Sequence, residues 1–559
     1  LQAAVTGMAA INCEIVRTVK WVMVWFGIAA TVICLSIAMA IFRSLSAALV
    51  AFAAPLLGCL WALGVLSALG VKLNVVQSIM PTLVVATGFS DVVHLMYHFR
   101  GLISHGVANS RAARETITEL APACVLTSTT TAIGFGSLAL SPLPVIRVFG
   151  LACALGCILT LASVLVTFLA TYSYVSFARS APSEQRPTRR VLNGMFGLVA
   201  RFPKPIAVAA VVAVAWMAPA FVRLQPDYRY SYSLPLGGEA IASLRLCDEN
   251  FGGCLPLQVL VSWPRDRDQP HDLLPAVSRI HQLLEEDDRL TPPISILSVL
   301  TSLTRDRNLS DDWARLDRLP SEATQQLLRK DRRDLIVVAR MRDAGAKQIT
   351  ESLDAIRSGL DELRQAYPHL QLQLTGMIPV AFDSVEQIIR DLSSCLIVAS
   401  TVIFVVLTLA FRSVVLGLAS VFPNAFPVVA LAAILAAWNQ PLTYASVLVF
   451  MIALGIAVDD TIHFIFRYQR GRRRGEPVTV AVRLAYETVG PAMLTTTIIF
   501  VAAFASLRIS TIPQHHTLAI LCGLAMLLAL VGDLVILPAM LLWGQSAAMG
   551  SEPNAKRTR

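Results

Sequence analysis

The chain has 559 residues, 55% of them hydrophobic and 15% charged, where a soluble chain carries about one-quarter charged residues. With a mean hydropathy of +0.64, this excludes an ordinary soluble domain. The net charge of +9 comes from clusters between apolar blocks, so it makes no case for a nucleic-acid partner.

In chain order, apolar blocks fall at roughly 21–42, 47–69, 75–97, 121–140, 148–173, 205–222, 392–411, 414–437, 443–466, 490–507 and 517–541. Each is near the ~20 residues that cross about 30 Å of hydrocarbon. Eleven such blocks predict a polytopic α-helical membrane protein. The divisions expected are 1–20 as the remnant of a first outward domain, 21–173 as a first transmembrane half, 174–204 as a linker, and 205–222 as a lone helix. Then come a second outward domain, 223–390, a second transmembrane half, 391–543, and a basic tail, 544–559. Arg and Lys gather in 98–114, 178–190, 467–475 and 555–559, whereas the alternate loops around Lys72, Asn439 and Arg508 are poor in them. The basic loops are expected on the cytoplasmic side, which turns 223–390 outward. Segment 191–204 is basic and amphipathic and suits the membrane surface.

The outward segment alternates strands and helices. "PLQVLVSW" (256–263), "DLIVVARM" (334–341) and "LQLQLTG" (370–376) read as strands, while 273–288 and 346–367 have helical apolar spacing. This pattern suits one α/β domain of the split βαβ, ferredoxin-like kind. Of the ten cysteines, eight lie in or beside apolar helices; Cys247 and Cys254 lie in the outward segment. Those two form either a disulfide, which an oxidising compartment permits, or a pair of buried thiols.

The chain matches itself at an offset of 369 residues. "VTGM" (5–8) falls on "LTGM" (374–377), "FRS" (42–44) on "FRS" (411–413), Asp91 on Asp460, His94 on His463, Pro122 on Pro491, and Pro144 on Pro513, without a gap over roughly 165 residues. A full unit is then one helix, an outward domain and five more helices, an even count that makes the two copies parallel repeats. The first copy lacks its first helix and most of its domain, and residue 1 is Leu rather than Met. The sequence is therefore expected to be N-terminally incomplete.

The acids inside apolar blocks carry the chemistry. A charged group at mid-bilayer costs at least ~2.5–3.5 kcal/mol, so such groups usually face a cavity or a partner. Asp460 and His463 are three residues apart and Asp459 and His463 four apart, on one helix face. Asp91 and His94 repeat the spacing, and His98 extends the stripe, as a relay member or as an interfacial residue. Low-dielectric surroundings disfavour the charged form of either group, so carboxyl–imidazole sets can exchange protons, and each Asp is expected to pair with the His on its own helix. The next helix of each half supplies hydroxyls, Thr127 in "TSTTT" and Thr496 in "TTT"; bonding back to a carbonyl one turn earlier is their ordinary use. Asp533 has no counterpart, since Val164 stands there; it is a relay candidate or a structural hydrogen-bonding residue. No metal-ligand spacing, phosphate loop or nucleophile elbow occurs, which argues against a metal or other cofactor, ATP and an enzyme.

Twin six-helix halves, an outward α/β domain after the first helix of a half, Gly455 ahead of Asp459–Asp460, the "DDTIHF" wording and the "LTG" strand resemble the resistance–nodulation–division superfamily. The likeness is to its MMPL and hopanoid-exporter-like branch, which shares the sterol-sensing helix set with Patched. That resemblance implies a multi-pass protein of the bacterial inner membrane that exports a lipid or other hydrophobic substrate in exchange for protons, with Asp91 and Asp460 at the relay positions. Membrane lipids and protons are the implied partners, together with a homo-oligomer as an option. Two departures mark this chain: Ala86 and Ser90 stand where the second copy has Gly455 and Asp459, and no lysine lies on the second acidic helix. The competing reading is a sterol-sensing-type regulator that binds lipid without transport.

Overall fold

The computed structural model describes residues 8–71, 76–175, 186–225, 227, 229–264, 272–304, 326–329 and 333–550. Lys72, the basic stretch 178–185 and the tail beyond Gly550 lie outside the described residues. Two compact units result, one made of Leu1–Val16, Pro226–Gln387 and Thr511–Pro513, the other of Arg17–Gln225, Ile388–Ser510 and Gln514–Arg559.

The larger unit is helical, and among the described residues the protein has eleven helices long and apolar enough to span a membrane. Their burial differs sharply. The apolar windows of Gln77–Ser104 and Ala445–Arg473 are 89% and 94% buried, against 18% for Cys13–Phe42 and 11% for Pro203–Arg223. The two helices that bear the duplicated Asp–His sets therefore form the axis of the bundle, while the least buried helices present apolar side chains outward.

Local geometry recurs at the same separation as the sequence match. Met8–Phe42 and Met377–Phe411 are both 35-residue helices, and Leu45–Ala68 and Val414–Ala437 both have 24 residues. The corner between them is built from Phe-Arg-Ser each time. Arg43 and Arg412 both adopt φ 49°, a left-handed turn that costs a non-glycine residue about 1–2 kcal/mol. Ser44 and Ser413 then cap the next helix by accepting the N–H groups of Ala47 and Leu416. A short 3-10 turn follows at Ser137–Leu140 and again at Ser506–Ile509, and Pro144 and Pro513 each open a helix, where a missing N–H is harmless.

Several expected boundaries shift. Helix Met8–Phe42 is continuous, with no break near residue 20. The second acidic helix, Tyr444–Arg473, runs two turns past its apolar block, so "RYQRGRR" is its helical end rather than a loop. Cations there complement the helix dipole. Both acidic helices therefore carry arginines near their C-terminal ends, Arg100 in Met80–Ser104 and Arg467, Arg470, Arg472 and Arg473 in Tyr444–Arg473. The amphipathic segment forms Arg186–Arg201, which buries Leu192 and Val199 and leaves Val191 and Leu198 exposed.

The smaller unit holds a four-stranded sheet of β1 (Leu255–Ser262), β2 (Leu328–Arg329), β3 (Asp334–Met341) and β4 (Gln371–Gly376) in the order β2-β3-β1-β4, every neighbour antiparallel. Helices Leu273–Glu285 and Ala346–Ala366 complete a β-α-β-β-α-β order, with two short helices, Glu239–Asn250 and Ile296–Thr304, that apolar spacing alone does not mark. Alternation along β1 buries Leu257, Val259 and Val261 against Val277, Ile280, Leu353 and Ile356 of the helices. The final glycine of "LTG" has a steric cause. Gly376 sits at φ 107°, and a Cβ there would lie 2.8 Å from the Pro256 carbonyl oxygen.

Of the two alternatives for Cys247 and Cys254, the structure carries the thiols, Cys247 buried and Cys254 half-buried. The Cys247 carbonyl accepts the N–H groups of Phe251 and Gly253 as its helix ends. Gly252 and Gly253, both at positive φ, then turn the chain so that Cys254 packs with the sheet core that includes Tyr230 and Leu255.

Candidate functional site

Four helices meet at the centre of the larger unit: the acidic helices Met80–Ser104 and Tyr444–Arg473, and the hydroxyl-bearing helices Asn109–Gly136 and Gly490–Ala505. Each acidic helix packs on the hydroxyl helix of the opposite half. Small residues permit this. A Cβ on Gly134 would come within 3.3 Å of the Gly455 Cα, so the two backbones nearly touch, as small residues allow in membrane bundles. That close approach gives Gly455 a concrete job: its carbonyl oxygen lies 2.8 Å from the Thr131 hydroxyl, which is also 3.0 Å from Asp459 Oδ1. One hydroxyl hydrogen serves one of these two acceptors at a time.

Asp91 accepts from Thr127 at 3.3 Å and from Ser128 at 3.2 Å. Asp460 accepts from Thr496 at 3.4 Å and lies 3.3 Å from His94 Nε2. This corrects the expected pairing within each helix. Spacing of three residues places Asp and His on one face, but the two faces look at each other, so His94 reaches across to the other half's carboxylate. The His94 and His463 rings stack with centroids 3.9 Å apart and planes 8° apart. Two imidazolium charges at that distance would repel by about 4 kcal/mol at an effective dielectric of 20, so the stack disfavours positive charge on both rings at once.

Asp91, Asp459, His94 and His463 are buried, while Asp460 retains 16% side-chain exposure. The bonds named above are what makes burial tolerable: a hydrogen bond to a charged group contributes about 1.5–3 kcal/mol, so two of them match the insertion cost of a carboxylate. Thr127 and Thr496 also donate back toward the carbonyls of Cys124 and Met493, both at 2.9 Å. The ordinary use of a helical hydroxyl and the use at the site thus share one residue.

Asp533 is fully enclosed in a second cluster. Thr461 donates to it and lies 3.3 Å from Asn424 Oδ1, and Asn424 donates to the Ser420 carbonyl at 2.7 Å. A π-turn over Gly532–Ile536 interrupts the helix at this acid, a deformation that often marks functional positions. A Cβ on Gly532 would lie 2.6 Å from the Pro423 oxygen. His98 does not join Asp91. It bonds Thr116 at 3.1 Å and Glu119 at 2.9 Å, and Glu119 forms an ion pair with Arg470 of the second half. Sequence reasoning missed Ser128, Thr131, Thr461 and Glu119. A signal existed for the first two, since Thr127, Ser128 and Thr131 fall on one side of a helix at spacings of one and four.

Comparison with known proteins gives a consistent picture. Residues 292–559 match the MMPL family, and residues 19–179 match the Patched sterol-sensing domain. The first span contains Asp459, Asp460 and His463, and the second Asp91 and His94. A membrane protein of Methanocaldococcus jannaschii is 24% identical over 229 residues, 40% of this chain and 58% of the relative. The hopanoid transporter HpnN of Burkholderia multivorans is 30% identical over 171 residues, 30% of this chain and 19% of the relative. The membrane protein ActII-3 of Streptomyces coelicolor is 24% identical over 200 residues, 34% of this chain and 28% of the relative. Each match thus spans less than two thirds of the relative's length.

Proposed function

Because the chain is a multi-pass MMPL-type protein of the resistance–nodulation–division superfamily with a Patched-like sterol-sensing helix set, we propose that it exports a lipid or another hydrophobic molecule, driven by the proton-motive force. The observation that carries this reading is the pairing of titratable groups across the two halves, His94 with Asp460 and His94 stacked on His463. A proton moving through 100 mV releases about 2.3 kcal/mol, and collecting that energy requires a group that titrates inside the field. Asp460 and Asp91 are the loading sites. A proton on Asp460 removes the charge that holds His94 of the first half, and the two helix sets are then free to shift against each other. The parallel repeat supplies the two elements that rearrange, and the β-α-β-β-α-β unit, which the basic-loop asymmetry of the sequence turns outward, handles the substrate. Similarity to a hopanoid transporter supports a polycyclic or other membrane lipid as substrate class.

The Patched-like match over residues 19–179 favours one second reading, a lipid-binding regulator without transport. The two readings separate in proteoliposomes made from the host's total lipid extract with a pH dye inside. An imposed pH gradient should drive protein-dependent proton flux that stops with Asp460→Asn. Lipid binding with no proton flux would establish the regulator instead.

A further inference from the structure

Cys124 is a chemically soft group at the centre of the bundle that the proposed relay leaves unused. It sits on the first hydroxyl helix, Asn109–Gly136, and is fully buried. Its Sγ, an oxygen of Asp91 and a ring nitrogen of His463 all lie within 4.8 Å of one another. Three helices contribute one donor each. We propose that Asp91, Cys124 and His463 form a divalent transition-metal site suited to Zn²⁺.

Donor chemistry, charge and distance agree on this. Thiolate, imidazole and carboxylate are the three ligand types of protein zinc sites, with Zn–S near 2.3 Å and Zn–N or Zn–O near 2.0–2.1 Å, so ligand atoms around a tetrahedral ion lie roughly 3.3–3.6 Å apart. Closing from separations of no more than 4.8 Å therefore requires a contraction of at most about 1.5 Å against those ligand distances, within the reach of small side-chain rotations. A thiolate and a carboxylate together neutralise the two positive charges of the ion. A neutral complex is what a low-dielectric interior accepts, since uncompensated buried charge is strongly disfavoured. On binding, the Cys124 thiol gives its proton to water and the sulfur takes the metal.

Supports for the ligands are already in place. Thr127 and Ser128 hold the Asp91 carboxylate, and the His94 ring stacks on His463; such outer contacts orient first ligands and raise affinity. Three protein donors leave the fourth tetrahedral position open, unlike the closed ligand set of a structural zinc site. In the second half the residue matching Cys124 is Met493, so the thiolate belongs to one half only. The site itself does not depend on the transport reading. Its consequence does: an ion held by Asp91 and His463 takes both out of proton exchange, so Zn²⁺ and proton loading exclude each other.

The test uses the full chain in nanodiscs. Zn²⁺ titrated by calorimetry should bind at one site, and Co²⁺ should give a thiolate-to-metal charge-transfer band. Cys124→Ser should abolish that band and weaken Zn²⁺ by at least about 10-fold, the loss seen for disturbing even outer contacts of a metal ligand. Cys153→Ser, a buried thiol on another helix, should change neither. An unchanged Co²⁺ band or unchanged Zn²⁺ affinity in Cys124→Ser would overturn the site, as would the absence of Zn²⁺ binding by the wild type. Failure of proton flux with intact Zn²⁺ binding would count against the transport reading alone.

Discussion

In the first membrane half, buried Asp91 is enclosed by two hydroxyls of its own half, Thr127 and Ser128. In the second, Asp460 is partly buried, has Thr496 at longer range, and reaches His94 of the other half. The second half also carries Asp459 and Asp533 where the first has Ser90 and Val164. Helix lengths, caps and the Phe-Arg-Ser corners recur in both regions, whereas the partners of the acids do not. The two carboxylates are therefore unequal partners: Asp91 accepts hydrogen bonds from two hydroxyls, and Asp460 has one hydroxyl and lies within hydrogen-bonding distance of an imidazole.

The largest effect that sharpens this contrast comes from removing the carboxylates one at a time. Asp460→Asn and Asp91→Asn should each lower proton flux by at least about 100-fold, the low end of what a positioned proton-transfer group contributes. Blots of the membrane fraction should show near-normal abundance. If only one of the two matters, the duplicated relay is wrong and a single-site scheme replaces it.

Next in size is the contact that fastens the first hydroxyl helix to the second acidic helix. Gly134→Val places a branched side chain where a single Cβ already comes to 3.3 Å of Gly455. Overpacking of this kind costs about 1–3 kcal/mol, so the detergent-solubilised protein should melt several degrees lower. Gly136→Val, where an added Cβ meets nothing within 4 Å, should not.

Asp533 tests whether the second half's extra acid is structural. Thr461→Val leaves that buried carboxylate without its donor, which costs about 1–3 kcal/mol. Reduced thermal stability with proton flux per folded molecule unchanged is the expected result, read by melting and by flux normalised to folded protein. A flux defect without a stability defect would move Asp533 into the relay.

Much of the fold and site is legible in the sequence, and for a physical reason. A membrane imposes a length on each apolar block, and the 369-residue self-match identifies which acids are equivalent. Sequence periodicity also marks the strands β1, β3 and β4 of the smaller unit to within a residue. What periodicity does not carry is which helix faces which. The within-helix spacing of Asp460 and His463 is compatible with pairing inside one helix or across two, and the tertiary packing that brings His94 to 3.3 Å of Asp460 decides for the second. Spacing likewise leaves Cys247 and Cys254 open between a disulfide and two thiols, because cysteines seven residues apart bridge only if the turn between them brings them together, and in this structure Gly252–Gly253 turn Cys254 into the sheet core. Glu119 escapes notice because it lies at the basic end of an apolar block and finds Arg470 only through tertiary packing.

The smallest predicted effect concerns Asp459. Its counterpart is Ser90 and its hydroxyl partner Thr131 divides one hydrogen between two acceptors, so Asp459→Asn should reduce proton flux only a few-fold, within the roughly 1 kcal/mol of an ordinary hydrogen bond. A loss as deep as that of Asp460→Asn would make the adjacent acids a joint loading site.

Proton flux through the Asp91→Asn, Asp460→Asn double variant, compared with wild type at equal protein in vesicles of host lipid, tests the central claim most directly. The account predicts flux indistinguishable from protein-free vesicles, with the protein folded and inserted. Flux at the wild-type rate would contradict it.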